Sequence, residues 1–250
     1  MPFTAPPPGV SAGSAPAEQG ISLYSLILPT IMLFLSLSCF SLNTAMIKIS
    51  AKYKSKKVIK IGITIAIITS SISSLILLLI LKTLTNKLLN QPITYYPILF
   101  SIPLFYLTSI STVLRGYLTG LEKMTSTSIA NLLEQISRII FILLIFYFIK
   151  NRSIVVYVTF CTIAMSIGEL ISIIFSLINI KKINQNNLII KKEIEKDLLE
   201  IAIPSTLNSL TSNLTFFLEP IIYTFILSKL LFTPNDILLK YSEVTAYAGP

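Results

Sequence analysis

Six long apolar segments, separated by polar connections, make up most of this chain of 250 residues. Each is at least about 18 residues long, which is roughly the helix length needed to cross the hydrocarbon core of a bilayer. Charged residues are only 12% of the chain and its mean hydropathy is +0.79, so little polar surface is left for a soluble domain. The segments are Leu23–Ile47, Ile61–Leu81, Pro97–Leu114, Thr127–Ile149, Ile154–Ile180 and Leu199–Leu227. The sequence therefore predicts an all-α, polytopic transmembrane helical bundle of about six spans.

Basic residues between these segments predict which connections face the cytoplasm. The first connection carries six lysines between Lys48 and Lys60 and no acidic residue. Cytoplasmic connections of membrane proteins are enriched in Lys and Arg, so this connection is assigned to the cytoplasm. Alternation then places the turn near Arg115 and Lys123, and the linker of residues 181–198, on the same side. The net charge of +9 is thus read as a topology signal, and nucleic acid is not expected as a partner because aromatic residues do not alternate with the lysines.

Cysteine and histidine usage bounds the chemistry. Cys39 and Cys161 both lie in apolar segments, and the chain contains no histidine. Two such cysteines do not make a disulfide framework, and the lack of histidine removes the commonest general base and metal ligand. No metal site, cofactor or catalytic residue is predicted.

Polar side chains recur at helical spacing on the fourth, fifth and sixth segments. Residues three or four apart share one face of a helix, so each stripe should face another helix or water rather than lipid. The stripes are Ser128, Asn131, Glu134 or Gln135, and Arg138; Thr162, Ser166, Glu169, and Ser172 or Ser176; and Ser205, Asn208, Ser212, Thr215 and Glu219. Three stripes predict a hydrated central cavity. For the small polar residues the alternative is hydrogen bonding between helices.

Charged residues within or at the end of apolar segments are the candidate substrate-binding residues. Glu134 and Arg138 are four residues apart, so they either neutralise each other or serve a transport cavity. Glu169 and Glu219 have no basic residue within one turn of their own helix, so each needs a partner on another helix, a bound ion or a proton. Arg115, at the cytoplasmic end of the third span, either extends to the membrane surface or meets an anionic phosphate.

Residues 114–138, LRGYLTGLEKMTSTSIANLLEQISR, carry a family resemblance. This segment resembles the pattern of the polysaccharide-flippase branch of the multidrug/oligosaccharidyl-lipid/polysaccharide (MATE-like) exporter superfamily, and of its stage V sporulation protein B-like members above all. Ser126 stands where that family usually has proline. The matching residues are Arg115, Gly116, Tyr117, Gly120, Met124, Thr127, Glu134, Gln135 and Arg138.

The resemblance implies that the chain is partial, with helices two to seven of a two-lobed protein. Residues 1–20 are then a Pro/Ala/Gly-rich lead, expected to be disordered or artefactual. Residues 21–180 are expected to form five transmembrane helices of the N-terminal lobe, and 181–198 a cytoplasmic linker with an amphipathic helix on the membrane surface. Residues 199–250 are expected to hold the first helix of the second lobe and a truncated end.

The resemblance also implies a function without covalent chemistry. It predicts a flippase in a bacterial inner or plasma membrane that translocates a polyprenyl-diphosphate-linked oligosaccharide by alternating access. The expected partners are the lipid-linked sugar, bilayer lipids, a coupling cation and the missing second lobe. Three alternatives stay open: a cation-coupled multidrug exporter of the same fold, a membrane glycosyltransferase, and an inactive or scaffolding fragment. The glycosyltransferase is disfavoured because the outer connections offer only Asp236 and Glu243 as carboxylates beyond the sixth span.

Overall fold

The computed structural model describes residues 16–149, 153–181, 191–230, 236–237 and 240–241, and within them every regular element is helical. A π-helical turn, Leu84–Leu88, continues α3, and a 3₁₀ turn, Pro92–Thr94, precedes α4. The α-helices are α1 Pro16–Cys39, α2 Leu42–Tyr53, α3 Lys57–Thr83, α4 Tyr95–Leu99, α5 Ile102–Gly120, α6 Met124–Phe148, α7 Ile154–Lys181 and α8 Lys191–Lys229.

Six helical segments in the described part of the chain are long and apolar enough to cross a membrane, which confirms the predicted bundle. Large apolar side chains cover their outer surfaces; Leu79 and Phe148, for example, are each 74% exposed. On a soluble protein such surfaces would drive aggregation, whereas in a bilayer they contact lipid. The six segments are Gly20–Tyr53, Lys57–Leu88, Pro92–Gly120, Met124–Phe148, Ile154–Lys181 and Glu193–Lys229. The protein is therefore a multi-pass membrane protein.

Buried side chains form two hydrophobic clusters, one in each half of the bundle. The first joins α2, the beginning of α3, the end of α5 and the beginning of α8, and Tyr117 is its largest member. The second joins α1, the end of α3, the beginning of α5 and the outer part of α7, with Phe34 stacked on Phe105. The site described below lies on α5, α6 and α7, and its α5 residue, Arg115, is flanked by members of the first cluster.

The first span is broken near its middle. Phe40 and Ser41 adopt left-handed backbone conformations, with φ of 45° and 42°, so α1 ends and α2 begins within one membrane crossing. Side chains from α3 replace part of the lost backbone bonding, since the Thr69 hydroxyl donates to the Ser38 carbonyl oxygen at 2.7 Å. The Ser38 hydroxyl also lies 2.7 Å from that of Ser70. Neither glycine nor proline occurs at residues 40–41, so nothing in the local sequence signals the break.

Glycine allows α5 to cross α2 closely at the end that we assign to the cytoplasm. A Cβ added to Gly120 would stand 2.5 Å from the Ile47 carbonyl oxygen and 2.8 Å from the Ser50 Cβ. Any side chain at this position would separate the two helices. The crossing holds the last turns of α5, and Arg115 with them, against the first cluster.

The structure differs in two places from the predicted division of the chain into segments. The predicted disordered lead was residues 1–20, but residues 16–20 form the first turn of α1; residues 1–15 lie outside the described part. The predicted surface helix of the linker is the beginning of α8, which continues without a break into the sixth span. Its apolar residues Ile194 and Leu198 are fully buried in the first cluster, so they contact protein rather than lipid. Residues 182–190 of the linker lie outside the described part.

Candidate functional site

Four charged side chains from three helices meet inside the bundle. Arg115 on α5 donates to Glu134 Oε2 on α6 at 2.6 Å, and Arg138 donates to Glu134 Oε1 at 2.5 Å. The second terminal nitrogen of Arg115, Nη2, lies 3.4 Å from Glu169 Oε2 on α7. Glu134 therefore bridges two guanidinium groups, and Arg115 bridges two carboxylates. We call Arg115, Glu134, Arg138 and Glu169 the arginine–glutamate quartet.

The quartet is shielded from the surroundings. The side chains of Glu134 and Glu169 are 7% and 6% exposed, and those of Arg115 and Arg138 are 17% and 23% exposed. A single charge in this position would be strongly unfavourable, because neither lipid nor apolar side chains solvate it. Two guanidinium groups and two carboxylates instead give a formal charge of zero. Pairing explains how the chain keeps four charges among apolar helices.

Neighbouring polar groups complete the contacts of the arginines. Arg115 Nη1 also donates to Asn131 Oδ1 at 2.8 Å, and Arg138 Nη1 lies 3.4 Å from Gln135 Oε1. Arg138 Nε is buried and has no hydrogen-bond partner in the described part of the chain. The quartet thus leaves one guanidinium donor unsatisfied.

Close packing of α6 and α7 sets the geometry of the quartet. A Cβ added to Gly168 would stand 2.9 Å from the Glu134 carbonyl oxygen and 3.6 Å from the Arg138 Cβ. One turn further along α7, the Ser172 hydroxyl lies 3.4 Å from that of Ser111 on α5. Glu169 is next to this glycine, so the close approach brings its carboxylate within reach of Arg115.

Glu219, the fifth predicted site residue, is not part of the quartet. It lies on α8, is exposed, and makes no hydrogen bond or salt bridge with another described residue. The other members of its stripe, Ser205, Asn208, Ser212 and Thr215, are exposed or half-buried. In the described part of the chain, the structure therefore does not bring the sixth-span stripe into the cavity with the other two.

The other four sequence-predicted residues come together in the quartet. Sequence reasoning missed two of their contacts, those of Arg115 with Glu134 and with Glu169. The Glu134–Arg138 pair, one of the two roles left open for those residues, does form. The partner of Glu169 is Arg115, a contact that differs from both roles predicted for Arg115, extension to the membrane surface and contact with an anionic phosphate. Sequence reasoning also missed Gly168. A glycine directly before an intramembrane carboxylate indicates that a neighbouring helix can approach closely there, and this pattern could have identified it.

The quartet presents groups that can bind anions. Guanidinium groups bind carboxylates and phosphates through the same paired hydrogen bonds, so a phosphate group can take the place of a carboxylate. Within the described residues, no three His, Cys, Asp or Glu side chains are grouped so as to hold a metal ion.

Two comparisons with known proteins give a match. A family model described as "Polysaccharide biosynthesis protein" matches residues 17–230. Stage V sporulation protein B of Bacillus subtilis (strain 168) is 26% identical over 246 residues, an alignment that covers 92% of this chain and 48% of the relative. The chain thus spans about half the length of this curated relative. No solved structure matches the chain significantly.

Proposed function

This chain belongs to the polysaccharide biosynthesis protein family, and we propose that it acts in a flippase that moves polyprenyl-diphosphate-linked oligosaccharide across the bacterial cell membrane by alternating access. Because the chain spans about half of its curated relative, the transporting unit is proposed to include a second lobe. The protein is proposed to act as a transporter rather than an enzyme, with the lipid-linked sugar as substrate.

The observation that carries this proposal is the bridging of Arg115 and Arg138 by one carboxylate, that of Glu134. A diphosphate offers several anionic oxygens that can occupy both guanidinium groups once Glu134 moves away. Such an exchange preserves the charge-assisted hydrogen bonds of the two guanidinium groups, while Glu134 loses its own, so the substrate's headgroup is bound in competition with this carboxylate. Readily reversible binding is what a carrier needs in order to release its substrate on the other side.

The exposed polar face of α8 supports a second lobe. Asn208, Thr215 and Glu219 lie on a membrane-crossing helix and are exposed in the described part of the chain. Polar groups in contact with hydrocarbon are unfavourable, so this face is proposed to line a water-filled cavity opposite the quartet.

The cation-coupled drug exporter is the second candidate, and Glu219 is the observation in its favour. A cation site needs a carboxylate that is free to bind, and Glu219 lacks a basic partner among the described residues. Glu134 and Glu169 are both already paired with arginine, which makes them poor cation ligands. Loss of cationic-dye export in Glu219→Gln, with lipid-linked sugar handling intact, would favour this second function.

Binding of lipid-linked sugar tests the proposal. The double variant Glu134→Gln/Arg138→Gln removes one guanidinium group but keeps the quartet neutral, so it avoids an unpaired buried charge. We expect it to bind a polyprenyl-diphosphate-linked sugar at least about tenfold more weakly in vesicles, because at least one charge-assisted bond is lost.

The matched control is Lys196→Gln/Glu200→Gln, a pair with the same spacing whose side chains are 77% and 62% exposed. This control should bind like the unmodified chain. If the quartet variant binds normally, or if the unmodified chain does not distinguish the lipid-linked sugar from its free polyprenol, the proposed function is wrong.

A further inference from the structure

An apolar groove runs along the bundle between α1, α6 and α7, beside the quartet. Its volume is about 590 Å³. Arg138, Ile142 and Phe146 line it at successive turns of α6, so it extends about 12 Å along that helix. Ile21, at its edge on α1, is 65% exposed, so the groove opens sideways toward lipid.

The two ends of the groove differ in chemistry. Among the described residues that line it, Arg138 is the one charged side chain; Met165 and Tyr24 line the groove as well, and the Met165 sulfur lies 3.5 Å from the Tyr24 hydroxyl. At the opposite end Phe146 stacks on Tyr157, with ring centroids 5.3 Å apart. The groove therefore joins one cationic end to a long apolar path, which is the complement of an anionic lipid.

Arg138 has the donor that such a ligand requires. Its Nη2 is bound to Glu134, but its Nε is buried and has no partner among the described residues. An unsatisfied buried donor is unfavourable, and an acceptor oxygen at this position would remove that cost. A phosphate oxygen can provide that acceptor at Nε before Glu134 moves away from Nη2.

We propose that this groove binds the isoprenoid chain of a polyprenyl phosphate or diphosphate lipid, with its phosphate at Arg138. The inference rests on the proposed function and adds to it the site of the lipid tail. Arg138 lies nearer than Phe146 to the beginning of α6, which we assign to the cytoplasm, and about 21 Å from Met124 along the helix. The groove would therefore hold the phosphate within the membrane, with the isoprenoid chain directed toward the outer side.

Cys161 lies in the lining of the groove and provides the test. In a Cys39→Ser background it is the one thiol of the chain. The rate of its reaction with a membrane-permeant maleimide is measured in phosphatidylcholine vesicles. We expect polyprenyl phosphate to slow labelling about tenfold at about ten times its dissociation constant, since only the unoccupied fraction reacts. Polyprenol of the same length should protect less, and inorganic diphosphate should not protect.

A pair of phenylalanine variants on α6 serves as control. Ile142→Phe places a larger side chain in the groove, whereas Leu143→Phe places it on a surface that is 64% exposed and outside the lining. Protection by polyprenyl phosphate should be lost in the first variant and kept in the second. Equal protection in both would overturn the groove assignment.

Other occupants give different results, each of which would overturn the proposal. Equal protection by phosphatidylglycerol would indicate an ordinary acyl-lipid site. A thiol that is unreactive even without added lipid would indicate that protein covers the groove. Retention of polyprenyl phosphate by the purified chain is measured separately. It distinguishes a failure of the groove assignment from a failure of the proposed function. Retention without protection of Cys161 rejects the groove alone, whereas absence of retention rejects the proposed function as well.

Discussion

Gly168 on α7 lies so close to Glu134 on α6 that a Cβ at position 168 would stand 2.9 Å from the Glu134 carbonyl oxygen. Backbone atoms of a packed helix cannot move aside as a flexible side chain can. The separation of the two helices, and with it the reach of Glu169 toward Arg115, therefore depends on the absence of a side chain at this position.

Gly168→Ala should destabilise the bundle and disturb the quartet. Overpacking of a well-packed contact typically costs about 1–3 kcal/mol, so we expect a lower thermal unfolding temperature in detergent. Gly20→Ala is the matched control, because its Cβ would meet Ile154 at 3.7 Å, an ordinary contact. An unfolding temperature for Gly168→Ala equal to that of the control would show that the helices separate without cost.

Glu134→Gln should be more harmful than the double variant Glu134→Gln/Arg138→Gln. The single change leaves two guanidinium groups with one carboxylate, and breaking a buried ion pair in this way costs roughly 3–5 kcal/mol. The double change restores a formal charge of zero. The free energy of unfolding of both variants checks this order. Exposed Glu219→Gln is the control, and its free energy of unfolding should lie within about 0.5 kcal/mol of that of the unmodified chain. A single variant as stable as the double would mean that the charges are not coupled.

Ser41→Gly and Ser41→Val should change stability in opposite directions. Both remove the hydroxyl that lies 3.3 Å from Ser209, so they differ mainly in backbone preference. Glycine accepts the left-handed φ of 42°, whereas a β-branched residue there is strained; the left-handed form costs other residues about 1–2 kcal/mol. The difference in unfolding temperature between the two variants measures the strain. Equal values would indicate a continuous first span.

Lys60→Cys and Lys87→Cys should be labelled from opposite sides of the membrane. Both side chains are exposed, and the charge distribution assigns Lys60 to the cytoplasm and Lys87 to the outside. In a Cys39→Ser/Cys161→Ser background, a membrane-impermeant maleimide added to intact cells should label the variant at position 87 only. Labelling at position 60 alone would reverse the predicted orientation.

Hydropathy was sufficient to predict the six spans, because a run of about 20 apolar residues has few alternatives to a membrane helix. The Glu134–Arg138 contact was likewise within reach, since residues four apart share a helix face. The contacts of Arg115 could not be predicted in this way, because Glu134 and Glu169 are 19 and 54 positions away along the chain. Such contacts depend on how α5, α6 and α7 pack, which the periodicity of one helix does not determine.

The break at Phe40–Ser41 and the unbroken α8 show a second limit. The break is supported by hydroxyl groups of another helix, including that of Thr69, rather than by a local turn residue. The beginning of α8 has the alternating pattern of a surface helix, but Ile194 finds a protein surface rather than a lipid one. An amphipathic pattern identifies an apolar face without identifying what covers it.

The zero formal charge of the quartet has a consequence for energy coupling. A diphosphate that enters this neutral site brings negative charge into a region that solvates it poorly, and carboxylates released from their arginines add to the deficit. A cation that enters with the headgroup restores electroneutrality. We therefore expect a transport cycle that uses the quartet to carry cations along with its anionic cargo, and its rate to respond to the membrane potential according to the net charge that moves with each lipid.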